Sequence, residues 1–242
     1  MGKTRISVAL AAYNGEKYIR EQMDSVLRNL SPQDEIVVSD DGSTDDTLRI
    51  VKSYQGGEIP VRLLGGPGKG IKQNIGTALA ACRGQYIFLA DQDDVWTDDK
   101  VERVMAHLGK NGCRLVCHDA KVMNASLTKV KMPSFFAYRG SKPGFWNNLL
   151  KNRYMGCCMA FDAGLLSVVL PIPDEIEMHD QWIGLLNDWG VTKSTFLKEK
   201  LLYYRRHEAN VSDFSHGTVW EMFRKRAVLL RALFCRKILR KY

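Results

Sequence analysis

Apolar and polar positions divide the first half of the chain into short alternating blocks. Ile6–Ala11 is an apolar run broken only by Ser7, which predicts a buried strand. Between Glu16 and Leu30, apolar residues at Ile19, Met23, Val26, Leu27 and Leu30 have helical spacing. Glu35–Ser39 is a second strand. Ser43 or Thr44 then opens a helix to about Tyr54, with Asp45 and Asp46 favourable in its first turn. Val61–Leu64 predicts a third strand, the glycines at 65, 66, 68 and 70 a loop, and Ile71–Cys82 a helix. Gln85–Ala90 reads as a fourth strand, Asp98 to Leu108 as a helix, and Arg114–Cys117 as a further strand. This alternation implies an α/β fold with a mostly parallel central sheet and helices on both faces.

The second half is less regular. Residues 119–153 show few clear elements apart from a short helix at Phe145–Leu150. Tyr154–Phe161 is a small-residue strand, Glu177–Trp189 a helix, Lys200–Arg205 a last strand and 218–239 a final helix. The expected division is a ligand-binding half to about 118, a second half of the same domain over 119–217, and an appended helix over 218–242.

Composition narrows the class. Of 242 residues, 45% are hydrophobic, enough for a sizeable core. No opening segment resembles a signal peptide, and no run of about 18 apolar residues suggests a membrane span. The six cysteines form no Cys-x-x-Cys pair, so buried free thiols in a reducing compartment are expected, and zinc is not. The net charge of +8 sits almost wholly in residues 218–242, where eight basic side chains face the single acid Glu221.

Candidate chemistry gathers where the strands end. Residues 86–96 run from Tyr-Ile-Phe-Leu-Ala into Asp-Gln-Asp-Asp-Val-Trp, which crowds Asp91, Asp93 and Asp94 just past a strand. Such crowding is unfavourable without a cation, and carboxylates suit Mg²⁺ or Mn²⁺ held against a phosphate-bearing ligand. Tyr13 and Asn14 follow the first strand, and Asp40 and Asp41 the second. In parallel α/β sheets ligands bind at these carboxyl ends. A carboxylate such as Asp41 can accept an N–H, for example from a pyrimidine, or cap a turn. The string Gly-Gly-Pro-Gly-Lys-Gly at 65–70 matches neither a P-loop nor a dinucleotide fingerprint. It is either a flexible loop or one that brings Lys69 or Lys72 to a diphosphate.

Three motifs in order carry a resemblance: Val8-Ala-Leu-Ala-Ala-Tyr-Asn14, Val38-Ser-Asp-Asp-Gly-Ser-Thr-Asp45 and Phe88-Leu-Ala-Asp-Gln-Asp-Asp-Val-Trp96. Over roughly residues 5–215 the chain resembles the family 2 glycosyltransferases, and its Asp-Gln-Asp-Asp-Val-Trp form looks most like their bacterial rhamnosyltransferase-like branch. The resemblance implies a Rossmann-like GT-A fold and a nucleotide-diphosphate-sugar donor. It implies that Ala11 and Tyr13 line the nucleotide pocket, that Asp41 reads the pyrimidine, and that Asp91 lies near the ribose and metal. Asp93 would ligate the metal directly. Asp180, in Met178-His-Asp-Gln-Trp182, would be the base that deprotonates the acceptor; its plain alternative is a helix cap. Arg205 and His207, in Tyr-Arg-Arg-His-Glu-Ala-Asn210, would face the diphosphate or metal, with Asn210 shaping the loop. Gly156 would lie beside the acceptor pocket, and Trp182 in the core or the acceptor wall.

The implied activity is inverting, metal-dependent transfer from a dTDP- or UDP-sugar, L-rhamnose first, to a glycan or lipid-linked hydroxyl at the inner membrane face. In the basic segment, Trp220, Phe223, Ala227, Leu230, Phe234 and Ile238 form a helical stripe, suited to an anionic membrane surface or to docking on the body. Nucleic acid is not expected, because the charge is not built around a groove. A sugar nucleotidyltransferase is the enzymatic alternative, although Ala-Ala-Tyr-Asn-Gly-Glu stands where its glycine- and arginine-rich loop would be. A non-enzymatic membrane-peripheral or nucleic-acid-binding protein is the other.

Overall fold

The computed structural model describes residues 5–190, 193–208 and 219–239. Asn210 lies outside the described residues. The elements run β1 (Ile6–Ala12), α1 (Ile19–Leu27), β2 (Glu35–Asp40), α2 (Thr47–Lys52), β3 (Val61–Gly65), α3 (Ile71–Ala81), β4 (Tyr86–Asp91), β5 (Val95–Trp96) and α4 (Lys100–Met105). They continue with β6 (Cys113–Asn124), β7 (Val130–Met132), α5 (Phe135–Arg139), α6 (Phe145–Leu150), β8 (Met159–Asp162), α7 (Leu166–Val169), α8 (His179–Trp189), β9 (Lys193–Arg206) and α9 (Val219–Leu239).

One sheet of nine strands carries the fold, in the order β3-β2-β1-β4-β8-β6-β9-β5 with β7 beside β6. The first four strands are parallel to one another. Strand β1 is buried along its whole length because helices cover both its faces, which is why it reads as a continuous apolar run. Beyond β4 the sheet changes character. Strand β8 is antiparallel to both β4 and β6, β5 is antiparallel to β9, and β6 is parallel to β9. The sheet as a whole is therefore mixed, and the expected mostly parallel arrangement holds only for its first half.

Two stretches gained structure over the sequence reading. Strand β6 runs on to Asn124, so position 118 lies in mid-strand, and β9 begins at Lys193 rather than Lys200. Both extensions include lysines, Lys121 in one and Lys193 and Lys198 in the other, and their polar content hides the strand signal. The segment after β6 is ordered by Asp119. Its buried carboxylate accepts from the Ser134 hydroxyl (2.6 Å) and the Phe136 amide (2.8 Å) at the start of α5. Asp98, expected to cap a helix, instead pairs with Arg28 at 2.8 Å. The six cysteines are unpaired, four of them buried.

Candidate active site

The sheet register sets three strand exits side by side. Ala11 of β1 lies opposite Ser39 of β2 and Asp91 of β4, and Ala12 lies opposite Asp40. Ala11 is buried, and Tyr13 just beyond it is exposed. Gln92 fastens two of the exits together: its side chain accepts from the Tyr13 amide and donates to the Tyr13 carbonyl, both at 2.8 Å. Asp40 is turned back on its own turn, accepting from the Gly42 and Ser43 amides and the Ser43 hydroxyl. Asp41 points the other way. Its two oxygens accept from the Gly68 amide (2.8 Å) and the Gly70 amide (2.7 Å), so it grips the glycine loop before α3. Gly70 sits at φ +83°, a conformation that favours glycine. Lys72 does not reach this crevice as a free cation. Its ammonium donates to the carbonyls of Asp174 (2.5 Å) and Ile176 (2.8 Å), which corrects the expected diphosphate role.

Past β4 the three carboxylates separate. Asp93 Oδ2 lies 2.8 Å from His207 Nε2, and His207 stacks on Tyr18 with ring centroids 4.8 Å apart. Asp94 is fully buried; its Oδ1 accepts from the Arg205 amide (3.0 Å), and its Oδ2 has no hydrogen-bond partner. Asp91, Asp94 and the Cys157 thiol bring ligand atoms within 4.8 Å of one another. Burial, then the charges of Asp93 and Asp180, push Asp91 up to about 7. Burial and the charges of Asp93 and Asp91 hold Asp94 well above the usual carboxylate range. A hydrogen bond to Cys158 and burial raise the Cys157 thiol, which leaves oxygens and an imidazole as the donors. Crowded carboxylates with an orphaned buried oxygen, beside a histidine, fit a hard divalent cation.

The shift of Asp91 has a consequence for stability. An ordinary aspartate titrates at 3.8, and the folded value is higher, so the folded state holds a proton that the unfolded state has lost. Without added cation, the contribution of Asp91 to stability is expected to fall as pH rises from about 4 to about 7, and then to level off. The difference in melting temperature between the parent chain and Asp91→Asn, recorded in chelator across that range, checks this, and a pH-independent difference would refute it.

Arg205 is also placed differently from expectation. It is buried, and its guanidinium donates to the carbonyls of Asp93 (2.7 Å) and Ala125 (2.5 Å) and to the Glu21 carboxylate (2.5 Å). It also lies over the Tyr18 ring, 4.6 Å from the centroid. These bonds clamp the acidic loop to β9 and α1. Arg205→Ala is expected to cost about 1–3 kcal/mol of stability, because it leaves two part-buried carbonyls without their donor. Chemical denaturation measures this. Unchanged stability with lost nucleotide affinity would restore the diphosphate role.

The other wall is built by α8 and the turn before β8. Asp180, buried in the first turn of α8, accepts from the Asn152 side-chain amide (2.9 Å) and the Gln181 backbone amide (2.7 Å), both at Oδ1. Gly156 explains the close fit: a Cβ there would lie 2.8 Å from His179 Nε2 and 3.8 Å from the Asp180 Cβ. His179 is half-buried, and desolvation lowers its basicity. Of the two places expected for Trp182, the structure gives the core and not the acceptor wall. It is fully buried and donates to the Val169 carbonyl at 2.9 Å. Lys100, read only as part of a helix, is buried beneath both walls, over the Trp96 ring at 3.9 Å and donating to the Cys157 carbonyl at 2.8 Å.

Sequence reasoning passed over Tyr18, Asn152 and Lys100. An aromatic just ahead of a helix and a buried lysine at a helix start carry no spacing signal, since their partners are distant in sequence.

Residues 7–170 match the profile of glycosyl transferase family 2. The chain belongs to glycosyl transferase family 2. This family 2 chain is 28% identical over 214 residues to the Escherichia coli UDP-Glc:alpha-D-GlcNAc-diphosphoundecaprenol beta-1,3-glucosyltransferase WfgD, covering 86% of itself and 79% of WfgD. It is 38% identical over 106 residues to the chondroitin synthase of Escherichia coli, covering 44% of itself but spanning only 16% of that synthase. Among solved structures, Staphylococcus aureus TarS residues 1–349 in complex with UDP-GlcNAc shares the fold at a TM-score of 0.72 and 19% identity, covering 98% of this chain and 68% of that one.

Proposed function

We propose that this family 2 chain is an inverting, metal-dependent glycosyltransferase. It moves a sugar from a dTDP- or UDP-sugar to a hydroxyl of a cell-surface glycan or lipid-linked acceptor, at the inner face of the membrane. The supporting observation is the meeting of the two walls: Gly156 packs against Asp180 on the acceptor side, and the next residue, Cys157, brings its thiol within 4.8 Å of the Asp91 and Asp94 carboxylates on the donor side. A carboxylate base thus shares a crevice with the acids of the donor side.

In this reading the nucleotide lies over Ala11 and Tyr13, with the base at Asp41 and the loop it grips. Asp91 and Asp93, with His207 beside Asp93, are the residues to hold a divalent cation. A bound cation neutralises charge on the departing nucleoside diphosphate. Asp180 Oδ2 takes the proton of the acceptor hydroxyl. The hydroxyl oxygen bonds to the anomeric carbon from the face opposite the diphosphate, and the bond from that carbon to the phosphate oxygen breaks. One displacement inverts the anomeric centre.

L-Rhamnose is the first donor to test, on the Asp-Gln-Asp-Asp-Val-Trp form. WfgD, by its name a user of UDP-Glc, makes UDP-glucose the second. A donor panel with Mn²⁺, read by nucleoside diphosphate release and by the anomeric configuration of the product, tests the reading. Retention at the anomeric carbon overturns the mechanism. Transfer from UDP-hexoses but not from dTDP-rhamnose overturns the rhamnose assignment. Pyrophosphate release from a nucleoside triphosphate would favour the nucleotidyltransferase.

A further inference from the structure

Helix α9 has two apolar faces, one buried against the body and the other largely exposed. Leu229, Ala232 and Leu233 are buried against the body. Around them Lys225 donates to Glu177 (2.6 Å), Arg226 to the Leu150 carbonyl (2.7 Å) and Arg236 to the Val168 and Leu170 carbonyls (2.9 and 2.7 Å). These positions recur every three or four residues and share one side of the helix. Trp220, Phe223, Phe234 and Ile238 lie on the opposite side and are exposed; Trp220 is 78% exposed where Leu233 is 0%. The stripe legible in the sequence therefore faces outward, apart from the half-buried Leu230, and residues off that stripe do the docking.

The neighbouring helix enlarges this face. Trp146 and Leu150 of α6 are both 72% exposed. Phe145 packs edge-on against Trp146 and Trp189, Trp189 packs against Phe234, and the Leu150 carbonyl is held by Arg226. The two helices thus meet along one edge of the molecule.

We propose that α6 and α9 together form an interfacial surface that binds an anionic lipid bilayer. Six large apolar side chains exposed on two adjoining helices, Trp146, Leu150, Trp220, Phe223, Phe234 and Ile238, mark a binding surface, and the charge selects the occupant. Arg224 and Arg231 flank the stripe, in a segment whose eight bases oppose one acid. A second copy of the same face would set two such segments against each other, whereas anionic headgroups attract both the bases and the interfacial aromatic rings. Among the described residues no helix is long and apolar enough to cross a membrane, so α9 would lie in the plane of the interface. A cavity of about 300 Å³ opens on the packed side of α9. Met178 and Gln181, which flank His179 and Asp180, form one wall, and Arg224, Lys225 and Leu229 another. The inference rests on the lipid-linked part of the proposed function, and not on its transfer chemistry.

The test uses the full chain with vesicles of phosphatidylcholine alone, or mixed with phosphatidylglycerol. Co-sedimentation is expected only with the anionic vesicles and is reversed by high salt. Tryptophan emission should shift to the blue, as Trp146 and Trp220 leave water. The double variants Trp220→Ser/Phe223→Ser and Trp146→Ser/Leu150→Ser should each weaken vesicle affinity about tenfold or more. Their melting temperatures should not change, because the replaced side chains are exposed. Equal binding to both vesicle types, no binding, or lipid-free self-association that buries the tryptophans would overturn the proposal. Normal binding by the α6 double variant would overturn the shared surface. Transfer to a water-soluble acceptor analogue is the separate readout. Its absence in every protein would count against the transferase reading and leave the vesicle result standing.

Discussion

Asp180→Asn is expected to reduce turnover by about 10²–10⁴-fold while leaving nucleotide affinity and melting temperature near those of the parent chain. The substitution is unusually clean. Both hydrogen bonds to the side chain, from Asn152 and from the Gln181 amide, fall on Oδ1, and an asparagine carbonyl can keep both. What is lost is the second oxygen's ability to take a proton. Steady-state kinetics with calorimetric titration of UDP and dTDP separates the outcomes. Equal losses of turnover and nucleotide affinity would show that Asp180 supports the fold of the crevice, as a helix-start residue would. Near-normal turnover would move the base elsewhere, and His179, half-buried against the same turn, would be the next residue to replace.

Asp93→Ala should show the second large effect, a loss of about 10²–10³-fold in turnover, as for removal of one preorganised electrostatic group. Nucleotide affinity should become nearly independent of added Mn²⁺. Asp93 is distinguished from its neighbours by position. Asp94 is buried beneath the Arg205 amide, whereas Asp93 stands beside His207 at the edge of the crevice. His207→Ala should weaken the same cation dependence by a smaller factor, because the carboxylate remains while the group that fixes it is lost. Titration of nucleotide with and without Mn²⁺ measures both. If Asp93→Ala keeps the full cation response while Asp94→Ala loses it, the ligand is the inner acid and not the outer one.

The donor half could be read from the sequence because its physics is local. Strands covered on both faces become apolar runs, and carboxylates at their exits stand out against them. Asp41, Asp91 and Asp93 stand out in the sequence as candidates for that reason. Long-range partners are not legible in that way. The resemblance carries Arg205, and the glycine loop Lys72, toward a diphosphate, and in the structure each donates to backbone carbonyls far along the chain, at Asp93, Ala125, Asp174 and Ile176. Of the two places open to Trp182, core or acceptor wall, its indole N–H bonds to Val169 inside the core. Such long-range pairing leaves no spacing pattern. The stripe on α9 was periodic and correctly found, but periodicity does not say which of two apolar faces meets the body; Leu229 and Leu233 decided that by fitting against it.

The tie between α3 and the segment before α8 bears on how such enzymes could be recombined. Lys72 and Gln73 hold the carbonyls of Ile172, Asp174 and Ile176 and the Asp174 carboxylate, only a few residues ahead of Asp180. The helix that follows the nucleotide-side loop therefore sets the approach of the acceptor base. A chimaera joining the first half of this chain to the second half of a relative would sever that latch. Its two parts could each fold and still hold sugar and acceptor out of alignment. Residues 172–176 would have to travel with α3 as one cassette, although about a hundred positions separate them in the chain.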